Sequence, residues 1–97
     1  MPLTPPSAAP TEKQQIRRAV LAFLADRQAL QFTRNDILGR LVDARKFDFT
    51  PTPESIDEAL VFIEGQGWAK RTPSASGPAI FFQATSAGVL AIEQDKL

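Results

Sequence analysis

Apolar residues recur every three or four positions in three stretches of the chain, which is the spacing of one buried helix face. The three sets are Ile16, Ala19, Val20, Phe23 and Leu24; Ile37, Leu38, Leu41 and Val42; and Ile56, Ala59, Leu60 and Ile63. A threonine, the type of residue that caps helices, precedes each set, at Thr11, Thr33 and Thr52. The pattern predicts three amphipathic helices, the first ending near residues 27–28 and the second near residue 44.

Neighbouring residues strengthen these helix boundaries. Gln14 stands three residues after the first threonine, which is the spacing of a capping box. Asp36 would lie in the first turn of the second helix, where its charge suits the helix dipole. Pro53 fits the first position of the third helix, where a missing N–H does no harm. Gly65 or Gly67 would end that helix, because glycine tolerates a positive φ.

Two strand-like runs, residues 68–72 and 79–84, flank a loop of proline, serine and glycine and predict a β-hairpin. Leu30-Gln31-Phe32 is a very short strand or an extended connector. Thr85 would cap a last helix over about residues 86–94, and its apolar residues are Val89, Leu90 and Ile92. The order of helix, short strand, helix, helix, hairpin and helix indicates an α+β fold.

The two ends of the chain lie outside this pattern. Residues 1–10 contain four of the eight prolines and no charge, so we expect a disordered or extended tail. A Pro-rich ligand for an aromatic groove is the alternative interpretation of this stretch. We therefore expect one domain over residues 11–94 and a frayed terminus over residues 95–97.

Composition removes several kinds of chemistry. The chain of 97 residues has no His and no Cys, so it can form neither a Ser-His-Asp triad nor a disulfide nor a thiolate metal site. We therefore expect no enzymatic activity, no metal site and no cofactor. There is no apolar run of about 18 residues and no recognisable export signal, which favours a cytoplasmic location.

The order of elements resembles the winged-helix form of the helix-turn-helix fold over about residues 11–94. Phe32-Thr33 resembles the short strand that this family places before the second helix. Residues 63–68, Ile-Glu-Gly-Gln-Gly-Trp, resemble the exit from the third helix into the wing. Residues 82–88, Phe-Gln-Ala-Thr-Ser-Ala-Gly, are similar to the end of the wing and a capped helix in MarR-type and PadR-type regulators. The resemblance implies DNA binding through the third helix and the wing, often by a dimer.

Two features depart from that family. The connection over residues 45–52 is longer than the tight turn of a simple helix-turn-helix. The third helix is acidic: residues 48–67 carry five carboxylates and no basic side chain, whereas residues 11–27, 28–47 and 68–84 each sum to +2. The formal net charge of zero therefore conceals a strongly uneven distribution.

This distribution shapes the first functional hypothesis, a small winged-helix transcriptional regulator that binds DNA. Carboxylates oppose the counterion release that drives DNA binding, so the third helix is an unfavourable main contact. We expect the contacts to come from the start of the second helix, the connection and the wing. The candidate nucleic-acid-binding residues are Arg34, Asn35, Arg45, Lys46, Lys70 and Arg71.

The second hypothesis is a winged-helix protein-interaction module that presents an acidic face of the third helix to a basic protein partner. Its candidate residues are Glu54, Asp57, Glu58, Val61 and Phe62. Solvated surface remains the simplest interpretation of most of these charges. Phe62 and Leu21 either pack at the edge of the core or form an exposed apolar contact, and a homodimer is compatible with both hypotheses. Of Phe81 and Phe82 one should be buried, and Trp68 should join the core at the base of the wing.

Overall fold

The computed structural model describes residues 11–96, so the tail expected over residues 1–10 and the terminal Leu97 lie outside the described residues. The described chain follows the predicted order of elements, with four helices and a two-stranded antiparallel hairpin. The elements are α1 (Glu12–Asp26), α2 (Arg34–Asp43), α3 (Pro53–Gly65), β1 (Ala69–Pro73), β2 (Ile80–Ala84) and α4 (Ser86–Glu93). The α+β prediction is confirmed.

Each helix begins directly after the threonine that the sequence indicated as its cap. The hydroxyl oxygen of each cap accepts a hydrogen bond from the backbone N–H three residues later, at 3.1 or 3.2 Å. In α1, α2 and α3 a side chain at that later position also accepts a bond from the cap's own N–H, which completes a capping box. The caps are Thr11, Thr33, Thr52 and Thr85. These bonds satisfy backbone donors that would otherwise lack partners.

The core lies where α1 contacts α2, α3, α4 and β2. The predicted apolar stripe of α3 is 0–1% exposed throughout. Leu21, whose environment the sequence left open, is fully buried, because α3 and α4 both pack against α1 and bury more than one face of it. Burial of this apolar surface is the main driving force for folding.

Two apolar residues that the helical spacing assigned to buried faces are exposed: Val42 by 43% and Leu90 by 51%. In α4 the buried residues are instead small, Gly88 and Ala91. A Cβ at Gly88 would lie 2.1 Å from the carbonyl oxygen of Trp68, so glycine permits a very close approach of α4. This close packing decides which face of α4 points inward. Trp68 itself is only half-buried and packs against the edge of the core.

The hairpin and the short strand meet at Phe82. Its backbone N–H and C=O exchange hydrogen bonds of 2.7 and 2.9 Å with Phe32, which confirms a minimal strand there. On the other side β2 pairs with β1 in a register that places Arg71 opposite Phe82 and Lys70 opposite Gln83. Phe82 is buried and its neighbour Phe81 half-buried, as the alternation of a strand requires.

Residues with a positive φ, in the left-handed region of backbone conformation, follow α2, α3 and α4. Gly67, at a φ of 80°, follows α3 and turns the chain into the wing, which confirms one of the two glycines proposed for this role. Arg45 has a φ of 52° after α2, although a non-glycine residue is disfavoured there. Asp95 has a φ of 54° after α4, and the Lys96 amide donates to the carbonyl of Ala91 at 2.9 Å. Within residues 11–96 no helix is both long and apolar enough to span a bilayer.

Candidate nucleic-acid interface

A cleft of about 660 Å³ opens between α3 and the hairpin, next to the first turn of α2. Its polar lining combines three of the candidate DNA-binding residues with one carboxylate of α3. We call it the wing cleft, and it is lined by Thr33, Arg34, Asn35, Asp57, Leu60, Val61, Arg71, Pro78, Ala79, Ile80 and Phe82. Val61, an apolar residue of this lining, is 63% exposed.

Arg34 is the first residue of α2, directly after the cap. Its Nη1 donates to Asp57 Oδ2 at 2.9 Å, and its Nε donates to Asn35 Oδ1 at 2.8 Å. These two bonds hold the guanidinium at the rim of the wing cleft, with a third of the Arg34 side chain exposed. A residue of the DNA-binding set therefore pairs with a residue of the acidic partner-binding set.

Arg71 reaches the same cleft from the wing. Its Nε and Nη2 donate to the carboxylate of Glu64 at 3.0–3.2 Å, and its guanidinium lies 5.9 Å from the centre of the Phe82 ring. Lys70 is adjacent in a β-strand and so points to the opposite face of the hairpin. There it lines a separate hollow with Gln83. The two basic residues of the wing are thus divided between its faces.

The basic residues of the connection lie apart from the wing cleft. Lys46 lines another hollow, of about 480 Å³, between α1 and α4, and Arg45 is exposed beyond the end of α2. Within residues 11–96 no carboxylate lies within ion-pair distance of Lys46, Arg45 or Lys70. The structure therefore brings together Arg34, Asn35 and Arg71 and places the other three candidates elsewhere.

Glu58 and Phe62, two of the acidic-face candidates, belong to the contact between α1 and α3. Arg17 of α1 lies with its guanidinium carbon 3.8 Å above the centre of the Phe62 ring. The Arg17 guanidinium also forms an ion pair with the Glu58 carboxylate, in which Nε donates to Oε1 at 3.4 Å and Nη2 donates to Oε2. Phe62 is therefore half-buried at the edge of the core, and its ring also packs against Trp68. A cation–π contact with Phe62 and an ion pair with Glu58 together hold Arg17 against α3.

The acidity of α3 is consequently reduced by its surroundings. Three of its four carboxylates pair with arginines from α1, α2 and β1. The fourth, Glu54, is exposed and has no basic partner among the described residues. Sequence reasoning missed these pairs because Arg17 and Glu58, for example, are 41 residues apart and no local pattern relates them. The sum over residues 48–67 therefore overstates the negative field that a phosphate would meet.

The polar groups that line the wing cleft are mainly hydrogen-bond donors. The rim of the wing cleft carries guanidinium and amide donors, the groups that contact phosphate oxygens in protein–DNA complexes. Among the residues described, no three potential metal-ligating side chains are grouped together. The exposed Val61 adds an apolar surface of the kind that contacts thymine methyl groups.

Comparison with known proteins identifies solved structures that share this fold. No protein-family model and no curated protein matches the sequence. Among solved structures, a transcriptional regulator from Clostridium thermocellum, Cth-833, matches with a TM-score of 0.74 and 11% identity over 91% of this chain and 85% of that one. MepR, a transcription regulator of the Staphylococcus aureus multidrug efflux pump MepA, matches with a TM-score of 0.67 and 19% identity over 86% of this chain and 55% of its own.

ZitR from Lactococcus lactis matches with a TM-score of 0.65 and 16% identity over 87% of this chain and 56% of its own. The crystal structure of MepR in complex with DNA also matches, with a TM-score of 0.66 and 20% identity over 89% of this chain and 61% of the MepR chain. The chain spans little more than half the length of MepR and ZitR. These similarities, together with the three-helix core, the short strand and the hairpin, confirm the resemblance to MarR-type regulators at the level of the fold: the chain has the winged-helix fold.

Proposed function

We propose that this protein is a small DNA-binding regulator and that the wing cleft faces the duplex. The observation that carries the proposal is the convergence of Arg34, Asn35 and Arg71 on one cleft beside α3. MepR, which shares the fold, is a transcription regulator that has been solved with DNA. Fold similarity alone does not establish function, so the donors of the cleft carry the argument.

The proposed contacts are of two kinds. Arg34, Asn35 and Arg71 would bind phosphates at the mouth of the cleft. Lys70, Arg45 and Lys46 would add electrostatic attraction from its surroundings, because none of these three has an ion-pair partner among the described residues. Such a protein needs no cofactor and no catalytic group, and it would act in the cytoplasm, alone or as a homodimer.

A basic protein partner is the less favoured function. Among the residues proposed to bind this partner, Glu58 and Phe62 already contact Arg17, and Asp57 pairs with Arg34. Only Glu54 and Val61 remain exposed without such a contact in the described part of the chain. Two separated side chains make a small docking surface for a partner.

Titration of a fluorescent duplex of random sequence at low salt tests the proposed function. We expect measurable binding by the unaltered chain and its loss in the double variant Lys70→Glu with Arg71→Glu, because both changes place negative charge on the wing. Lys13→Glu with Lys96→Glu is the matched control, since it reverses the same number of charges at two exposed lysines that lie outside the wing cleft. If no duplex binds at low salt, or if the control loses as much affinity as the wing variant, the proposal fails.

A further inference from the structure

We infer that Asp57, which lines the wing cleft, and Glu64, which pairs with Arg71 of its lining, are specificity-determining residues. They hold Arg34 and Arg71 away from phosphates and so limit sequence-independent DNA binding. This inference rests on the proposed function. Both arginines that face the cleft are paired with carboxylates of α3, at 2.9 and 3.0 Å. The other basic candidates, Lys70, Arg45 and Lys46, have no ion pair within the described residues and lie outside the cleft.

The geometry of each pair sets up a competition between a carboxylate and a phosphate for the same donors. Arg71 offers Nε and Nη2 to Glu64, which are the paired donors that a phosphate also engages. Arg34 divides its donors between Asp57 and Asn35. A phosphate that approaches either arginine must therefore displace a carboxylate or share the guanidinium with it, and a like-charged group remains beside it.

Both ion pairs are partly exposed to solvent, so a phosphate is able to displace the carboxylate from the arginine. The Arg71 and Glu64 side chains are 47% and 32% exposed, and those of Arg34 and Asp57 are 33% and 56% exposed. Ion pairs with this access to water are weak, so a well-placed phosphate can replace the carboxylate. Random DNA, which supplies phosphates but few other contacts, gains least from the exchange. A duplex that also offers Asp57 a base-edge donor or Val61 a methyl group would compensate for the displaced pair.

The Arg17–Glu58 pair provides an internal contrast. It has the same chemistry but lies between α1 and α3, where Arg17 stacks on the Phe62 ring, and neither residue lines the wing cleft. Its carboxylate therefore competes with no phosphate-binding donor of the cleft. Glu54, on the same helix and exposed, is a carboxylate without a pair in the described chain.

A double-mutant cycle on Glu64 and Arg71 tests the inference. Affinity for a random-sequence duplex is measured for the unaltered chain, Glu64→Gln, Arg71→Gln and the double variant at several salt concentrations. We expect Glu64→Gln to tighten binding about three- to tenfold and to steepen the salt slope by about one unit, as one added phosphate contact does. In the Arg71→Gln background the same change should tighten binding by no more than about twofold, because no guanidinium remains for the carboxylate to hold.

Two controls and a fold check complete the experiment. Glu54→Gln removes the same charge from α3, and its effect should be equal with and without Arg71. Glu58→Gln should leave DNA affinity within about twofold. Circular dichroism and thermal melting establish that every variant is folded.

The possible failures of the cycle are distinguishable. If Glu64→Gln weakens binding, Glu64 positions Arg71 for the phosphate and the inference is overturned. If the gain from Glu64→Gln is the same in both backgrounds, only net charge matters; the inference is again overturned while the proposed function stands. If neither the unaltered chain nor Glu64→Gln binds the duplex at low salt, the proposed function fails and the inference with it.

Discussion

Gly88 shows how the absence of a side chain at one residue can set the position of a helix. Its Cα packs directly on the backbone of Trp68, the residue that leads from α3 into the wing. Any Cβ at this position would overlap the Trp68 carbonyl oxygen, and a backbone atom cannot move aside as the end of a flexible side chain can. Gly39, in the middle of α2, has no atom within 4 Å of the same hypothetical Cβ.

The substitution of alanine should therefore have opposite effects at these two glycines. Gly88→Ala should lower the free energy of unfolding by about 2–3 kcal/mol, because α4 must shift away from the wing base. Gly39→Ala should raise it by about 0.5–1 kcal/mol, because alanine favours the helix and meets no obstacle. Urea unfolding monitored by circular dichroism measures both values. Equal effects of the same sign at the two positions would show that the close contact at Trp68 is not what constrains α4.

At the scale of elements, the helices are defined mainly by their first turns. Each of the four follows a threonine whose hydroxyl oxygen accepts a hydrogen bond from the backbone N–H three residues later. The cap of α3 matters most for the candidate interface, because α3 carries Asp57, Val61 and Glu64 to the wing cleft or its edge. Pro53 follows that cap at the first helical position and fixes the direction in which α3 starts.

Thr52→Ala should destabilise the protein by about 1 kcal/mol, because it leaves the Ser55 N–H without its bond to the cap. Thr50→Ala is the matched control, since Thr50 is exposed in the connection two residues earlier and caps no helix. We expect that control to stay within about 0.5 kcal/mol of the unaltered chain in urea unfolding. A loss as large for Thr50→Ala would contradict the capping role.

At the scale of the whole molecule, the placement of charge matters more than its sum. The net charge is zero, and of the five basic candidates for DNA contact two are held by carboxylates while three are unpaired among the described residues. Long-range attraction to DNA should therefore be modest, and affinity should depend on how many arginines and lysines actually reach phosphates.

The salt dependence of DNA binding should reflect this count. The logarithm of the association constant should fall against the logarithm of salt concentration with a slope between about −2.5 and −4.5, as three to five phosphate contacts require. Lys70→Gln should reduce the magnitude of that slope by about one, whereas Lys13→Gln, at the start of α1, should not change it. Titration of a random duplex from low to physiological salt gives the slope, and a value near zero would contradict electrostatic binding.

The features that the sequence alone determined are those that depend on neighbours within one or two turns. The threonine caps, the proline at the start of α3, the glycine exit at Gly67 and the buried stripe of α3 were all predicted, because hydrogen bonds and helical spacing over three or four residues produce them. The winged-helix resemblance followed from the order of these local elements.

Only the tertiary structure decided which surfaces meet. Leu90 has the apolar character of a core residue, yet the close contact at Gly88 turns it towards solvent. The acidic segment of α3 was expected to repel DNA as a block, but arginines from three other elements neutralise most of it. Lys70 and Arg71 are adjacent in the chain and point to opposite faces of the wing. These outcomes depend on contacts between residues far apart in the chain, and local spacing carries no information about such contacts.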